Sequence, residues 1–140
     1  MGTLGNLEFF RGEIVSLKAG TGGVTKGDIV YLSDVDTVLA IDAVNKYAIG
    51  MVMEDILEDA WGPVLIFAPV ANVTLINATV GKPLVYSATG LTDLTETALA
   101  TGVECISVVA IAWDTVGGTP AVGRAMLIHC LFRDTGYAGT

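Results

Sequence analysis

The sequence is poor in the side chains that carry out catalysis. Its 140 residues include a single histidine, His129, and two cysteines, Cys105 and Cys130. Acid–base or nucleophilic catalysis needs a nucleophile, a base within hydrogen-bond reach and a third group that orients the base. Neighbouring strand residues point to opposite faces of a sheet, so Cys130 is not a local partner for His129. We predict that the protein is not an enzyme and that both cysteines are reduced core residues. A disulfide between neighbouring strands stays open as the alternative if the chain meets an oxidising environment.

Metal-ligating residues are equally sparse. One histidine and two separated cysteines fall short of the usual four ligands of a structural zinc site. Two acidic stretches, residues 33–36 and 54–59, offer oxygen ligands for calcium, but neither has the spacing of a known calcium loop. We interpret both as solvated acidic turns that help to keep an apolar chain soluble. The sequence therefore predicts no metal and no cofactor.

Positive charge and long apolar runs are also missing. The net charge is −8, and the seven basic residues are scattered singly along the chain. A nucleic-acid surface needs clustered lysine and arginine, so we do not expect nucleic acid as a partner. No apolar run reaches the roughly 18 residues of a membrane helix, and no secretory leader precedes the first strand-like run. Neither a membrane partner nor secretion is expected.

What the chain does contain is a succession of short β-branched runs separated by Gly, Asp, Asn and Thr. They recur about every ten residues, too closely for crossover helices, and this spacing predicts an all-β barrel or sandwich. Helical spacing suggests at most two short helices, at 92–102 and at 53–63, although a hairpin loop would explain 53–63 equally well. The predicted strands are residues 13–17, 28–32, 37–41, 47–53, 64–70, 72–76, 83–86, 103–113 and 124–132.

The two halves of the chain resemble each other. Setting Gly27 on Gly81 also aligns Thr25 with Thr79 and Ser33 with Ser87. Further along, residues 48–55 match 107–114, and residues 61–70 match 122–132. We interpret these matches as an internal duplication that closes one sheet system.

The chain ends differ from the middle. Residues 1–8 and 134–140 are loose in composition, so we expect a flexible N-terminal arm, a single β domain over 9–133 and a flexible C-terminal tail. The first ten residues nevertheless carry enough apolar area to dock on another protein, at a gain of a few kcal/mol if most of it is buried. The candidate contact residues of the arm are Leu4, Leu7, Phe9 and Phe10.

Three stretches resemble a known family. "GGVTKGDIVYLSD" (22–34), the later "YAIGMVMED" (47–55) and "VGKPLVYSATG" (80–90) are similar to the small capsid decoration, or cement, proteins of tailed phages and related viruses. The similarity extends over about residues 9–132. It implies a compact β-barrel or β-tulip of short antiparallel strands that lacks catalysis, sits on the outer capsid as trimers or other clusters, and reinforces the shell. It also implies that a terminal arm adds to the sheets of the capsid protein.

Two functions stay open from the sequence. The first is a structural virion protein, made in the host cytoplasm and attached to the outer capsid surface, with the major capsid protein and copies of itself, as a trimer, as its partners. The alternative is a small glycan- or ligand-binding β module in which an exposed aromatic residue stacks on a sugar. The candidates for that stacking are Trp61, Trp113 and Tyr137.

Overall fold

The computed structural model describes residues 12–43, 46–94 and 105–133, with the backbone alone at 105–107 and 129–133. These ranges contain strands and turns and no helix, so the predicted all-β fold is confirmed. The strands are β1 (Glu13–Ala19), β2 (Ile29–Asp34), β3 (Thr37–Ala40), β4 (Ala48–Val52), β5 (Trp61–Leu75), β6 (Pro83–Val85), β7 (Thr92–Asp93), β8 (Cys105–Ala112) and β9 (Ala121–Arg133).

Not every strand is short. The runs predicted at 64–70 and 72–76 are one continuous strand, β5, of 15 residues, and β9 has 13. Pro69 lies inside this strand, although proline cannot donate a hydrogen bond to a ladder. The register between β5 and β9 shifts between Ala68 and Ala71, and this irregularity accommodates the proline inside the strand.

The two helix predictions have different outcomes. Residues 53–60 form a loop that contains an isolated bridge between Ile56 and Val24, and β5 begins at Trp61. The helix at 53–63 is therefore wrong and the hairpin loop is right, because this loop joins the antiparallel neighbours β4 and β5. Of the other predicted helix, Thr92 and Asp93 form strand β7, and residues 95–102 lie outside the described residues.

The strand pairings close on themselves twice. Strand β1 pairs with β3 and β5, β3 with β2, β2 with β4, and β4 with β5, which completes a barrel-like ring that we call ring 1. Strands β5, β9, β8, β6 and β7 form ring 2, which a parallel bridge between Leu75 and Leu91 closes. The β1–β3 pair is parallel, so the expectation of purely antiparallel strands is wrong there. Strand β5 belongs to both rings.

The rings are built on the same register, which confirms the internal duplication. In ring 1 Ile29 pairs with Met51, and in ring 2 Pro83 pairs with Ile111. The next residues repeat the pattern, and both ladders then shift register at the same step, as the paired positions show: Val30–Gly50 and Tyr31–Ala48 in ring 1, Leu84–Ala110 and Val85–Val108 in ring 2. Each ring is thus one copy of a repeated unit.

The turn at Gly27 in ring 1 has a counterpart at Gly81 in ring 2. The Gly27 N–H donates to the Val52 carbonyl at 2.8 Å, and the Gly81 N–H donates to the Ala112 carbonyl at the same distance. Both glycines have a positive φ, 91° and 83°, a conformation that glycine adopts without steric cost. The predicted alignment of Gly27 with Gly81 is therefore correct, and its cause is a shared left-handed turn.

The predicted alignment of 48–55 with 107–114 is wrong by one residue. The registers place Ala48 opposite Tyr31 and Val108 opposite Val85, so Ala48 corresponds to Val108 rather than to Ser107. Both of the aligned stretches end in an aspartate, and the sequence match pairs Asp55 with Asp114. Thr115, and not Asp114, is equivalent to Asp55, because Val80 N–H donates to Thr115 as Lys26 N–H donates to Asp55.

Two apolar clusters fill the molecule. The smaller one lies inside ring 1 and contains Leu17, Ala19, Val24, Val30, Val38, Val52, Ile56 and Val64. The larger one fills ring 2 and also takes in residues from the outer face of ring 1, among them Ile29, Met51 and Leu65. The outer face of ring 1 therefore packs on ring 2, and the two repeats share a core.

Candidate assembly surface

One end of ring 1 exposes apolar side chains that continue the inward-facing rows of its strands. Alternation along β1 and β2 places Val15 on the face of Leu17 and Leu32 on the face of Val30. Val15 is 37% exposed and Leu32 is 50% exposed, while the neighbouring Ile49 is half-buried against the ring 1 cluster. Ile66 of β5 is half-buried against the same cluster. We call this surface, formed by Val15, Leu32, Ile49 and Ile66, the open end of ring 1.

A shallow apolar concavity of about 440 Å³ lies at the open end. Tyr31, Leu32, Lys46, Tyr47 and Ile49 line it. The Lys46 Nζ lies 4.8 Å from the centre of the Tyr31 ring, which is within cation–π range. A concave surface with aromatic rings, aliphatic side chains and one cation is typical of the central part of a protein interface.

Strand β1 begins beside the open end. Its first residue, Glu13, pairs with Phe67 of β5, and Phe67 is 43% exposed. The four arm residues predicted as a contact site, Leu4, Leu7, Phe9 and Phe10, lie outside the described residues.

A second cavity, of about 270 Å³, lies between the two repeats. Its walls come from the Gly27–Ile29 turn and Ile41 of ring 1 and from residues 86–91 of ring 2. Its carboxylate, Asp28, accepts a hydrogen bond from the Thr25 N–H at 2.9 Å, and the Ser87 hydroxyl donates to the Gly90 carbonyl. The polar groups of the cleft thus hold its own turns in shape.

The acidic stretches considered for calcium serve as loop supports in this fold. Asp55 Oδ1 accepts from the Lys26 N–H at 2.8 Å, and Glu58 Oε2 accepts from the Gly22 N–H at 2.9 Å. In the other stretch Asp34 Oδ1 accepts from the Val35 N–H at 2.7 Å. Among the described residues, no three His, Cys, Asp or Glu side chains converge as a metal site would require. The side chains of His129 and of both cysteines lie outside the described part of the chain.

Asp114 and Arg124 form an ion pair at the far side of ring 2. Arg124 Nη2 lies 2.8 Å from Asp114 Oδ1, and Arg124 Nε and its backbone N–H both donate to Oδ2, at 3.0 and 2.8 Å. These hydrogen bonds, from the side chain first and the backbone second, hold the pKa of Asp114 below its ordinary value, although burial acts weakly in the opposite direction. The pair ties the loop after β8 to the start of β9.

The two tryptophans proposed for sugar stacking are on the surface. Trp61 is 57% exposed and Trp113 is 48% exposed. The Trp113 Nε1–H donates to the Pro69 carbonyl at 2.8 Å, so its indole is already fixed against β5. Tyr137, the third candidate, lies outside the described residues.

The residues of the open end were not predicted from the sequence. The predicted contact residues are in the arm, whereas the structure adds Val15, Leu32 and Tyr47. A signal was present, because Val15–Leu17–Ala19 and Val30–Leu32 continue the same alternation. Alternation shows which residues share a face, but not where the covered part of that face stops.

Neither the protein-family models nor the curated proteins include a match to this chain. Within residues 12–43, 46–94 and 105–133 no helix of a length and apolarity suited to crossing a membrane is found.

Proposed function

We propose that the protein is a structural virion protein that decorates the outer surface of a capsid as a homo-oligomer, a trimer, and stabilises the shell. The observation that carries the proposal is the open end of ring 1, where exposed apolar residues lie beside Glu13, the first residue of β1. A protein with such a surface lowers its free energy by covering it with another protein. A decoration protein does this with the capsid and with its own copies.

The composition of the exposed surface supports a protein partner. Large apolar side chains are exposed on several elements in addition to Leu32 and Tyr47, and Ile14 and Phe67 lie near the beginning of β1. Aromatic residues are enriched and charges depleted at the centres of protein interfaces, and the concavity with Tyr31 and Tyr47 has this character. The major capsid protein is the partner that we propose for the arm.

The arm can attach by adding a strand to a sheet of the capsid protein. Strand β1 pairs with β5 along Glu13–Lys18 on one side, and its last residues, Lys18 and Ala19, pair with β3 on the other. Residues N-terminal to Glu13 are therefore the segment that can pair with a strand of a partner sheet. Leu4, Leu7, Phe9 and Phe10 would then supply the side-chain contacts.

Capsid binding tests this function directly. The purified protein is added to expanded capsids that lack it, and bound copies per capsid are counted at increasing protein concentration. We expect saturable occupancy that falls at least tenfold when residues 1–8 are deleted, with an unchanged circular dichroism spectrum. Deletion of residues 134–140 is the matched control and should leave occupancy as it is. Absence of saturable binding by the full chain would refute the proposal.

The second candidate function is binding of a glycan, and the exposure of Trp61 favours it. At 57% exposure and at the first position of β5, this indole has a face available for stacking. A glycan array measures this function. Saturable binding that Trp61→Ala abolishes and Val122→Ala retains would support it, because Val122 occupies the equivalent position at the start of the closing strand in ring 2.

A further inference from the structure

The contact between the two repeats joins two different surfaces. Ring 1 contributes a row of residues across its outer face, Ile29, Met51 and Leu65, which are neighbours in register and only 6–8% exposed. Ile41, whose N–H donates to the Ile29 carbonyl, extends this row. All four belong to the larger core cluster together with residues of ring 2. We call the set Ile29, Ile41, Met51 and Leu65 the outer face of ring 1.

The outer face of ring 1 packs on the end of ring 2 that corresponds to the open end of ring 1. The equivalent residues are Ala71 for Val15, Tyr86 for Leu32, Val109 for Ile49 and Leu127 for Ile66, as the shared registers require. Ala71, Val109 and Leu127 are 4%, 1% and 1% exposed and belong to the same cluster as the outer face of ring 1. Tyr86 packs against that cluster. The end of ring 2 is therefore covered.

A single chain uses only one surface of each kind. At the open end of ring 1, Val15 and Leu32 remain 37% and 50% exposed. The corresponding outer face of ring 2 does not belong to the core cluster that the repeats share. The registers give its members, and the hydrogen bond from the Leu94 N–H to the Pro83 carbonyl is equivalent to the one from Ile41 to Ile29. The outer face of ring 2 therefore consists of four half-buried residues, Pro83, Leu94, Ile111 and Met126.

We infer that a second copy of this chain covers the open end: the outer face of ring 2 in one copy packs on the open end of ring 1 in the next. This contact between copies uses residues equivalent to those that form the contact between ring 1 and ring 2 within one chain. Because the two surfaces differ, the contact is heterologous and forms a ring when the rotation per copy closes.

The apolar character of both surfaces is suited to this contact. Leu32, Ile49 and Ile66 would meet Ile111 and Met126, with no carboxylate among the residues that define either surface. Burying such side chains supplies the main driving force of association, and a charge placed there would lose its hydration without gaining a partner. The inference rests on the self-association in the proposed function and not on capsid attachment.

Two variants that each damage one surface test the inference. Leu32→Glu places a carboxylate in the open end of ring 1, and Met126→Glu places one in the outer face of ring 2. Wild-type protein should have a mass in light scattering that is a multiple of the 14.5 kDa chain, and each variant alone should have the mass of one chain. An equimolar mixture should form a dimer and nothing larger, because one intact surface of each kind remains. If both substitutions lay in one self-complementary interface, mixing the two variants would not restore association.

Matched controls separate lost association from lost folding. Leu57→Glu places the same change on a leucine that is 79% exposed, and Val122→Glu places it on β9 at a residue that is 72% exposed. Both should keep the wild-type mass, and all four variants should keep the wild-type circular dichroism spectrum. A monomeric wild type, variants that retain its mass, or a mixture that stays monomeric would each overturn the inference. Saturable capsid occupancy by a wild type that is monomeric in solution would retain the capsid attachment of the proposed function and overturn its self-association together with this contact.

Discussion

At the scale of single residues, Gly50 shows how tightly the inside of ring 1 is built. A Cβ at this position would lie 2.5 Å from the Leu65 carbonyl oxygen and 2.8 Å from Val64 Cγ1. The carbonyl belongs to the neighbouring strand and cannot rotate away. The equivalent position in ring 2 is occupied by Ala110, so the restriction belongs to ring 1 and not to the repeated unit.

We expect Gly50→Ala to lower the free energy of unfolding by about 1–3 kcal/mol, because the strands must separate to admit the methyl group. Urea denaturation followed by circular dichroism measures the change. Gly117→Ala is the control, since a Cβ there meets no atom within 4 Å, and its effect should stay within about 0.5 kcal/mol. Equal stability of the two variants would show that β4 and β5 can move apart at Gly50 without loss.

The Asp114–Arg124 pair predicts a pH dependence. Because the pKa of Asp114 is lower in the folded state than in the unfolded chain, the pair stabilises the fold above the unfolded pKa of about 3.9, and the contribution disappears as the pH falls through the folded pKa. The side chains are 41% and 32% exposed, so solvent screening limits the effect to about 0.5–1 kcal/mol. Asp114→Asn should cost this amount at pH 7, and urea denaturation at a series of falling pH values should show the difference vanish once the pH is below the folded pKa.

An aspartate of ring 1 provides the comparison. Asp42→Asn removes a carboxylate for which no ion pair is found in the described residues. It should leave the stability at pH 7 within about 0.5 kcal/mol of wild type. If Asp42→Asn and Asp114→Asn reduced stability equally, the effect would come from net charge and not from the pair.

At the scale of elements, the turns depend on acceptors supplied from the loop after β4. Asp55→Ala removes the acceptor of the Lys26 N–H, and we expect it to cost about 1 kcal/mol. Glu54→Ala is the matched control, because it removes an adjacent exposed acid for which no hydrogen bond is found in the described part of the chain. Thermal denaturation compares the two variants. A similar loss in both would mean that Asp55 stabilises through charge alone.

The strands themselves were predictable, and their boundaries and registers were not. β-branched runs and glycine turns located β1 to β4, β6, β8 and β9, because those patterns are local. The sequence predicted two strands, 64–70 and 72–76, where the structure has the single strand β5, and the predicted alignment of β4 with β8 is wrong by one residue. A one-residue shift reverses the face of every side chain, and hydrogen bonds to a distant strand decide it.

At the scale of the whole molecule, the shared strand and the shared core predict that both rings unfold together. Trp61 is in ring 1 and Trp113 follows β8 of ring 2, so Trp61→Phe and Trp113→Phe each leave one fluorescent reporter. In each variant the fluorescence midpoint in urea should coincide with the circular dichroism midpoint. Midpoints that differ between the two probes in either variant would show that one ring unfolds before the other.

The sequence by itself determined the all-β class, the repeated turn at Gly27 and Gly81, and the shortage of reactive side chains, because composition, local conformation and short periodicities are written along the chain. Only the tertiary structure decided that the pairings close into two rings, that β5 serves both, and that the end of ring 2 is covered while that of ring 1 is open. The exposure of Leu32 and the burial of Leu127 follow from contacts between residues far apart in sequence, and no local pattern contains them.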